Sequence, residues 1–186
     1  MAERAVEDVL FKVMALVERE GIPYMVMGSL ASRAWALPRT VIDLDLSLAA
    51  GEERLQGFCA AAERAGFYVP ETHRQGYADD VQGMRRFSFK DVSAEPSIPV
   101  VCYLVATDYQ RAAFDRRRPV TLGGREVWMI SPEDLILHHL LIGSLRGLAD
   151  IDDILLVQGT VDRDYLRTWA SALGVTEVLE ERLPPQ

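Results

Sequence analysis

Apolar residues recur along the chain with two different spacings, which predict an alternation of helices and strands. Residues 3 to 20 show a helical period, with Val9, Leu10, Val13, Leu16 and Val17 on one side, and Gly21 ends the pattern. Residues 23 to 27 form a short apolar run that predicts a strand. A helical segment follows to about Leu37, Pro38 ends it, and residues 40 to 48 predict the next strand.

The remaining pattern predicts more strands first and then only helices. We expect a helix over residues 51 to 66 with Leu55, Phe58, Cys59 and Ala62 inward, strands at 84 to 90 and 98 to 105, and a short helix at 108 to 115. A hairpin with Gly123-Gly124 at its bend follows. Ser131, Pro132 and Asp134 mark the start of a further helix, and helical patterns cover 147 to 157, 162 to 172 and 175 to 182.

This order of elements predicts an α+β fold, a mixed β-sheet flanked by helices with a helical C-terminal part. We expect an α+β core over residues 1 to 130 and a helical extension over residues 131 to 186, packed on the core. A chain of 186 residues with 49% apolar and 26% charged residues is typical of a folded domain.

Charge and targeting features narrow the class of protein. The net charge of −8 argues against a general nucleic-acid binder, because binding to phosphates needs local positive charge. No apolar run reaches the roughly 18 residues of a membrane span, and the N-terminus lacks a signal-peptide layout. Cys59 and Cys102 lie in apolar segments and are interpreted as reduced core residues. We therefore expect a cytoplasmic protein with no membrane association.

Two aspartates in the strand at 40 to 48 are the first candidates for chemistry. Side chains alternate along a strand, so Ile42, Leu44, Leu46 and Leu48 are expected on one buried face. Asp43 and Asp45 then project together from the other face, with Cα atoms roughly 7 Å apart. Such a pair suits magnesium (Mg²⁺), which prefers oxygen ligands. A half-exposed strand with solvated acids is the alternative, and the pair alone favours it.

The residues before this strand shift the balance toward a nucleotide site. Gly28-Ser29 lies between an apolar strand and a helix start, where backbone N–H groups and the helix dipole favour an anion. Ser29 could donate to a phosphate or act as a plain N-cap, and Arg39 could meet a second phosphate or lie in a surface turn. A phosphate-binding turn beside paired carboxylates suits a Mg²⁺–nucleoside triphosphate.

With these residues, the sequence resembles the nucleotidyltransferase superfamily (DNA polymerase β-like), whose hallmark is Gly-Ser or Gly-Gly followed by Asp-x-Asp. Here the pattern is Gly28-Ser29 and then Asp43-Leu44-Asp45. The chain looks most like the AbiEii-type proteins of bacterial abortive-infection and toxin–antitoxin systems and their uncharacterised relatives. The resemblance continues in PRTVIDLDL (38 to 46), TLGGREVWMISPEDLI (121 to 136) and LADI (148 to 151), where Asp150 matches the family position.

The resemblance implies a role for each candidate residue. Gly28 and Ser29, with Arg39, would bind the nucleoside triphosphate substrate, and Asp43 and Asp45 would be the catalytic Mg²⁺ ligands. An acceptor hydroxyl would attack the α-phosphate and release pyrophosphate. The acceptor stays open among RNA, protein and a small molecule.

Three residues depart from the family pattern around this site. Members carry a third carboxylate on the later strand, and the matching stretch Val101-Cys102-Tyr103-Leu104 puts Cys102 in its place. His139 stands where relatives often have lysine, and Val41 where threonine is common. For His138-His139, on a helix among apolar neighbours, we expect one packed and one surface histidine. Two alternatives to an enzyme therefore remain: a non-catalytic nucleotide-binding relative, and a toxin–antitoxin protein that acts through a protein partner.

Overall fold

The fold is a mixed β-sheet flanked by helices, as the sequence predicts. The computed structural model describes residues 2–93 and 95–183. The strands are β1 (Tyr24–Met27), β2 (Leu44–Leu48), β3 (Phe67–Tyr68), β4 (Asp79–Val81), β5 (Met84–Asp91), β6 (Ile98–Leu104), β7 (Arg118–Leu122) and β8 (Arg125–Met129). The helices are α1 (Ala2–Arg19), α2 (Gly28–Trp35), α3 (Leu55–Arg64), α4 (Glu71–Arg74), α5 (Asp108–Asp115), α6 (Pro132–Ile142), α7 (Leu145–Gln158), α8 (Arg163–Leu173) and α9 (Thr176–Arg182).

Strand β2 lies in the middle of the sheet and carries Asp45, while Asp43 lies just before the strand begins. The strand order is β3-β5-β6-β2-β1-β8-β7, and β4 pairs with β5. Strand β2 runs antiparallel to β1, with Met27 opposite Asp45, and parallel to β6, with Asp45 opposite Val101. The sequence pattern did not predict β3, β4 or α4, because two to four residues are too few to show a period.

Strand β2 begins four residues later than the sequence predicts, and the side-chain alternation fails there. Leu44, Leu46 and Leu48 are buried as expected. Ile42 is 72% exposed and Val41 is 1% exposed, so the expectation that Ile42 shares the buried face is wrong. Residues 36 to 43 form an irregular connection without strand pairing, and alternation holds only where a strand is paired in a sheet.

The pairing register determines the face of the sheet on which Cys102 lies. Cys102 lies opposite Leu46 of β2 and opposite Phe87 of β5, and residues paired across strands share a face. Cys102 is 0% exposed and therefore belongs to the core face, opposite to the face of Asp45. The neighbour of Asp45 on β6 is Val101, which is partly exposed. The match of Cys102 to a third carboxylate rests on the sequence alone; the register directs the Cys102 side chain away from Asp45 and into the core, where a core cysteine is expected.

Hydrogen bonds at the helix ends hold the C-terminal helices and α2 together. Ser131 caps α6 as predicted, since its hydroxyl accepts from the Asp134 N–H at 3.2 Å. The indole N–H of Trp35 at the end of α2 donates to the Ile130 carbonyl at 2.8 Å. The Gln158 amide at the end of α7 donates to the Trp35 carbonyl at 2.7 Å. Within the described residues, every helix is too short or too polar to cross a membrane.

Substitutions at the neighbouring positions 101 and 102 test the register. We expect Cys102→Asn to lower the free energy of unfolding by about 2 to 4 kcal/mol, because it buries an amide without partners. Val101→Asn should cost about 1 kcal/mol, because water reaches a partly exposed position. Urea denaturation of both variants provides the measurement. Equal losses, or a larger loss for Val101→Asn, would contradict the assigned faces.

Candidate active site

The candidate residues from separate parts of the sequence lie around one cavity. Gly28, Ser29, Arg39, Asp43 and Asp45 all line it. The other lining residues come mainly from β6 and the C-terminal helices: Tyr103, His138, His139, Ile142, Ser144, Arg146, Gly147 and Asp150. The cavity therefore lies between the sheet and the C-terminal helices.

Gly28 lies in close contact with the Asp45 carboxylate. Its φ angle is +62°, in the left-handed region that glycine adopts without steric cost. A Cβ atom at this position would lie 1.9 Å from Oδ2 of Asp45. Two independent constraints, the backbone angle and the space, thus require glycine here.

Ser29 belongs to the first turn of α2 and contacts both aspartates. Helix α2 begins at Gly28, and its cap residue Met27 provides no side-chain hydrogen bond, so Ser29 is not the N-cap. The Ser29 hydroxyl donates to Oδ1 of Asp43 at 2.9 Å, and its backbone N–H donates to Asp45. The turn and the carboxylates therefore form one hydrogen-bonded unit at the start of a helix.

The environment of Asp45 disfavours a bare carboxylate. Burial, followed by the negative charge of Asp43, raises the pKa of Asp45 to about 7. The Ser29 N–H and the charges of Arg86 and Arg39 oppose this shift. Two carboxylates held together in a partly buried place carry a penalty that a cation would remove.

The residues present fit a Mg²⁺ ion bound together with a phosphate ligand. Mg²⁺ is usually held by one or two carboxylates, with water and substrate phosphates completing the coordination. Asp43 and Asp45 supply such a pair, and the space beside Asp45 is kept clear by Gly28. No group of three or more histidine, cysteine or acidic side chains suitable for a metal occurs in the described residues, so this pair would depend on ligand oxygens.

A second polar cluster, centred on Asp150 of α7, forms the other side of the cavity. Oδ2 of Asp150 accepts from the Ser32 hydroxyl at 2.9 Å and from Nη1 of Arg39. The Nε atom of Arg146 lies 3.6 Å from Oδ1 of Asp150. Asp150 is 3% exposed, so this carboxylate is a buried centre to which Arg39 and Arg146 are both attached.

Both histidines of the pair are buried, which corrects the expectation that one of them lies at the surface. His138 and His139 are 6% and 8% exposed, because the C-terminal helices cover α6 on its outer side. Burial lowers the pKa of His138 to about 3 and that of His139 to about 4. Both rings are therefore neutral at pH 7. His138 packs edge-on against Tyr103, and Nε2 of His139 lies 3.1 Å from the Ser32 hydroxyl.

Sequence reasoning found one side of the cavity and missed most of the other. Ser32, Tyr103 and Arg146 carry no motif, and only the fold brings them to the site. Asp150 had a signal in its family position, whereas a solvated helix face explains its neighbours Asp152 and Asp153. The structure agrees for Asp152, which is exposed and pairs with Arg182 at 2.7 Å.

Comparison with solved structures identifies the fold. No family model and no curated protein matches the sequence. The solution structure of the antibiotic-resistance factor ANT(2″)-Ia has 17% identity and a TM-score of 0.64, over 97% of each chain. A crystal structure of ANT(2″)-Ia in complex with adenylyl-2″-tobramycin has 15% identity and a TM-score of 0.59, over 90% of this chain and 95% of that one.

The lincomycin-bound lincosamide antibiotic adenylyltransferase LnuA has 17% identity and a TM-score of 0.55, over 80% of this chain and 95% of that one. Identities this low establish a common architecture and leave substrates and residue roles undetermined. The chain has the nucleotidyltransferase-like fold.

Proposed function

We propose that this protein is a nucleotidyltransferase that transfers a nucleoside monophosphate from a nucleoside triphosphate to an acceptor hydroxyl. The observation that carries the proposal is the contact of the Gly28-Ser29 turn with the paired carboxylates, with the Ser29 hydroxyl 2.9 Å from Asp43. An anion-binding helix start and a cation-binding carboxylate pair are both needed for a Mg²⁺–triphosphate, and here they adjoin. The nucleotidyltransferase-like fold agrees with this assignment.

Each side chain has a role that follows from its position. The first-turn N–H groups of α2 and the Ser29 hydroxyl would bind phosphate oxygens, and Arg39 would meet a second phosphate. Asp43 and Asp45 would hold Mg²⁺, which when bound neutralises phosphate charge and polarises the phosphorus–oxygen bonds. The acceptor oxygen then bonds to the α-phosphorus as the bond to pyrophosphate breaks. Catalysis of this type depends on positioning and preorganised charge.

The acceptor is the least constrained part of the proposal. ANT(2″)-Ia is seen with adenylyl-2″-tobramycin and LnuA with lincomycin, so in those proteins this fold accommodates small molecules. A small molecule, a protein and an RNA all remain candidate acceptors for this chain. The adenylyl group in the ANT(2″)-Ia complex and the adenylyltransferase activity in the name of LnuA make ATP the first triphosphate to test.

A second candidate function is a non-catalytic relative that binds a nucleotide or a protein partner, as in AbiEii-type toxin–antitoxin systems. Val101 favours it, because this apolar side chain is the register neighbour of Asp45 on β6. A carboxylate at that position would assist metal binding or activate the incoming hydroxyl, and valine does neither. Binding of a triphosphate without transfer to any acceptor would support this candidate.

Replacing Asp43 tests the reaction. We expect Asp43→Asn to reduce transfer at least about 100-fold, since the amide removes a negative charge from the cation site. Each labelled nucleoside triphosphate is incubated with Mg²⁺, a cell extract and the protein, and labelled acceptors are counted. Asp108→Asn is the matched control, because Asp108 is an exposed acid on α5 that does not line the cavity. Labelling that persists with Asp43→Asn would show that the assigned site is wrong.

Replacing Gly28 tests the geometry of the turn. Gly28→Ala should abolish detectable binding of Mg²⁺–triphosphate in calorimetry, because the new Cβ must displace the Asp45 carboxylate. Gly21→Ala is a matched control: its φ angle of +61° imposes the same backbone strain, but no atom lies within 4 Å of the added Cβ. Equal loss of binding in the two variants would mean that backbone strain, rather than displacement of Asp45, explains the effect.

A further inference from the structure

Two arginines from different segments of the chain contact the Asp150 carboxylate. Arg39 comes from the connection between α2 and β2, and Arg146 lies on α7, one turn before Asp150. The Asp150 carboxylate is also held by the Ser32 hydroxyl, which itself contacts His139. Three contacts on a buried carboxylate fix its orientation, and the orientation of the arginines follows from it.

The two arginines retain capacity to bind a further anion. A guanidinium group has five N–H donors, and only Nη1 of Arg39 is directed at Asp150. The Nε atom of Arg39 is buried and has no hydrogen-bond partner among the described residues. Arg146 lines the cavity, its side chain is 65% exposed, and its ion pair with Asp150 spans 3.6 Å, so most of its donors remain available to a ligand.

The balance of charge on this side of the cavity is positive. The single negative charge of Asp150 faces the two positive charges of Arg39 and Arg146, and His139 is neutral because burial lowers its pKa to about 4. The side formed by Asp43 and Asp45 is acidic. A ligand that suits both sides carries a divalent cation at one end and several negative charges at the other, which describes a polyphosphate better than a single phosphate.

We propose that Asp150 is a positioning residue that presents Arg39 and Arg146 to the terminal phosphates of a triphosphate, and that this pair makes the site prefer triphosphates to monophosphates. The proposal rests on the proposed nucleotide site and assigns Arg146 and Asp150 to it. A purely structural role for Asp150, joining α7 to α2, is the competing explanation. That role affects all ligands equally, whereas the positioning role affects affinity according to the number of phosphates.

Calorimetry distinguishes the two explanations. The full chain is titrated, with Mg²⁺ present, with ATP, GTP, CTP and UTP and with the four matching monophosphates. We expect Arg146→Gln and Asp150→Asn each to weaken binding of the preferred triphosphate about ten-fold, as expected for the loss of a charge-assisted contact. Binding of the matching monophosphate should weaken by less than about two-fold in both variants. Arg146→Lys should restore part of the affinity, because it retains the charge without the planar group.

One control lies on α7 with Asp150 and Arg146, and the other is its ion-pair partner on α9. Asp152→Asn and Arg182→Gln remove an exposed ion pair of 2.7 Å outside the cavity and should leave both affinities unchanged. Thermal melting shows whether Asp150→Asn folds. If it does not, Arg146→Gln still tests the proposal, because the Arg146 side chain is largely exposed and its replacement should leave the fold intact.

The outcomes separate this inference from the proposed function. If the wild type binds a triphosphate and Asp43→Asn does not, but Arg146→Gln binds it like the wild type, the inference is wrong and the nucleotide site stands. Equal weakening of triphosphate and monophosphate in Arg146→Gln would also overturn it, in favour of a structural role. If the wild type binds none of the eight nucleotides, both proposals fail.

Discussion

The antiparallel pairing of β1 with β2 determines where Gly28 lies relative to Asp45. Because Met27 is opposite Asp45, the chain leaving β1 must turn into α2 directly beside the Asp45 carboxylate. Only a residue without a side chain fits at Gly28, and the first N–H groups of the helix then point toward the same space. Backbone hydrogen bonds, rather than flexible side chains, thus hold the start of α2 and the Asp45 carboxylate at a fixed separation.

The two sides of the cavity carry opposite charge. Asp43 and Asp45 make one side negative, and Arg39 and Arg146 make the other side positive. Burial, followed by the negative charge of Asp43, raises the pKa of Asp45 and disfavours the bare pair of carboxylates. Arg39 and Arg146 outnumber the one carboxylate between them. Protein groups therefore leave a negative excess on one side of the cavity and a positive excess on the other.

The sequence predicted the long helices and strands and the motif of glycine, serine and two aspartates, because each leaves a local pattern. It did not predict which strands pair with each other. Gly28-Ser29 and the two aspartates were found because a turn at a helix start leaves a short local pattern. The face of Ile42 was assigned wrongly, and the residue of β6 that lies beside Asp45 could not be assigned, because both depend on where pairing begins and on which strand lies alongside. Asp150 and Arg146 reach the cavity through packing of helices more than a hundred residues from Gly28, and no local period encodes that contact.

The bond between Asp150 and Arg39 joins the helical part of the chain to the connection that precedes β2. The two segments therefore depend on each other, since a substitution in either one leaves a buried charge without its counterpart. A chimera that takes its C-terminal helices from a relative should keep its stability only if the donor supplies an acid at position 150. The C-terminal helices are thus part of the cavity wall itself, and their removal would leave Arg39 without its counter-charge.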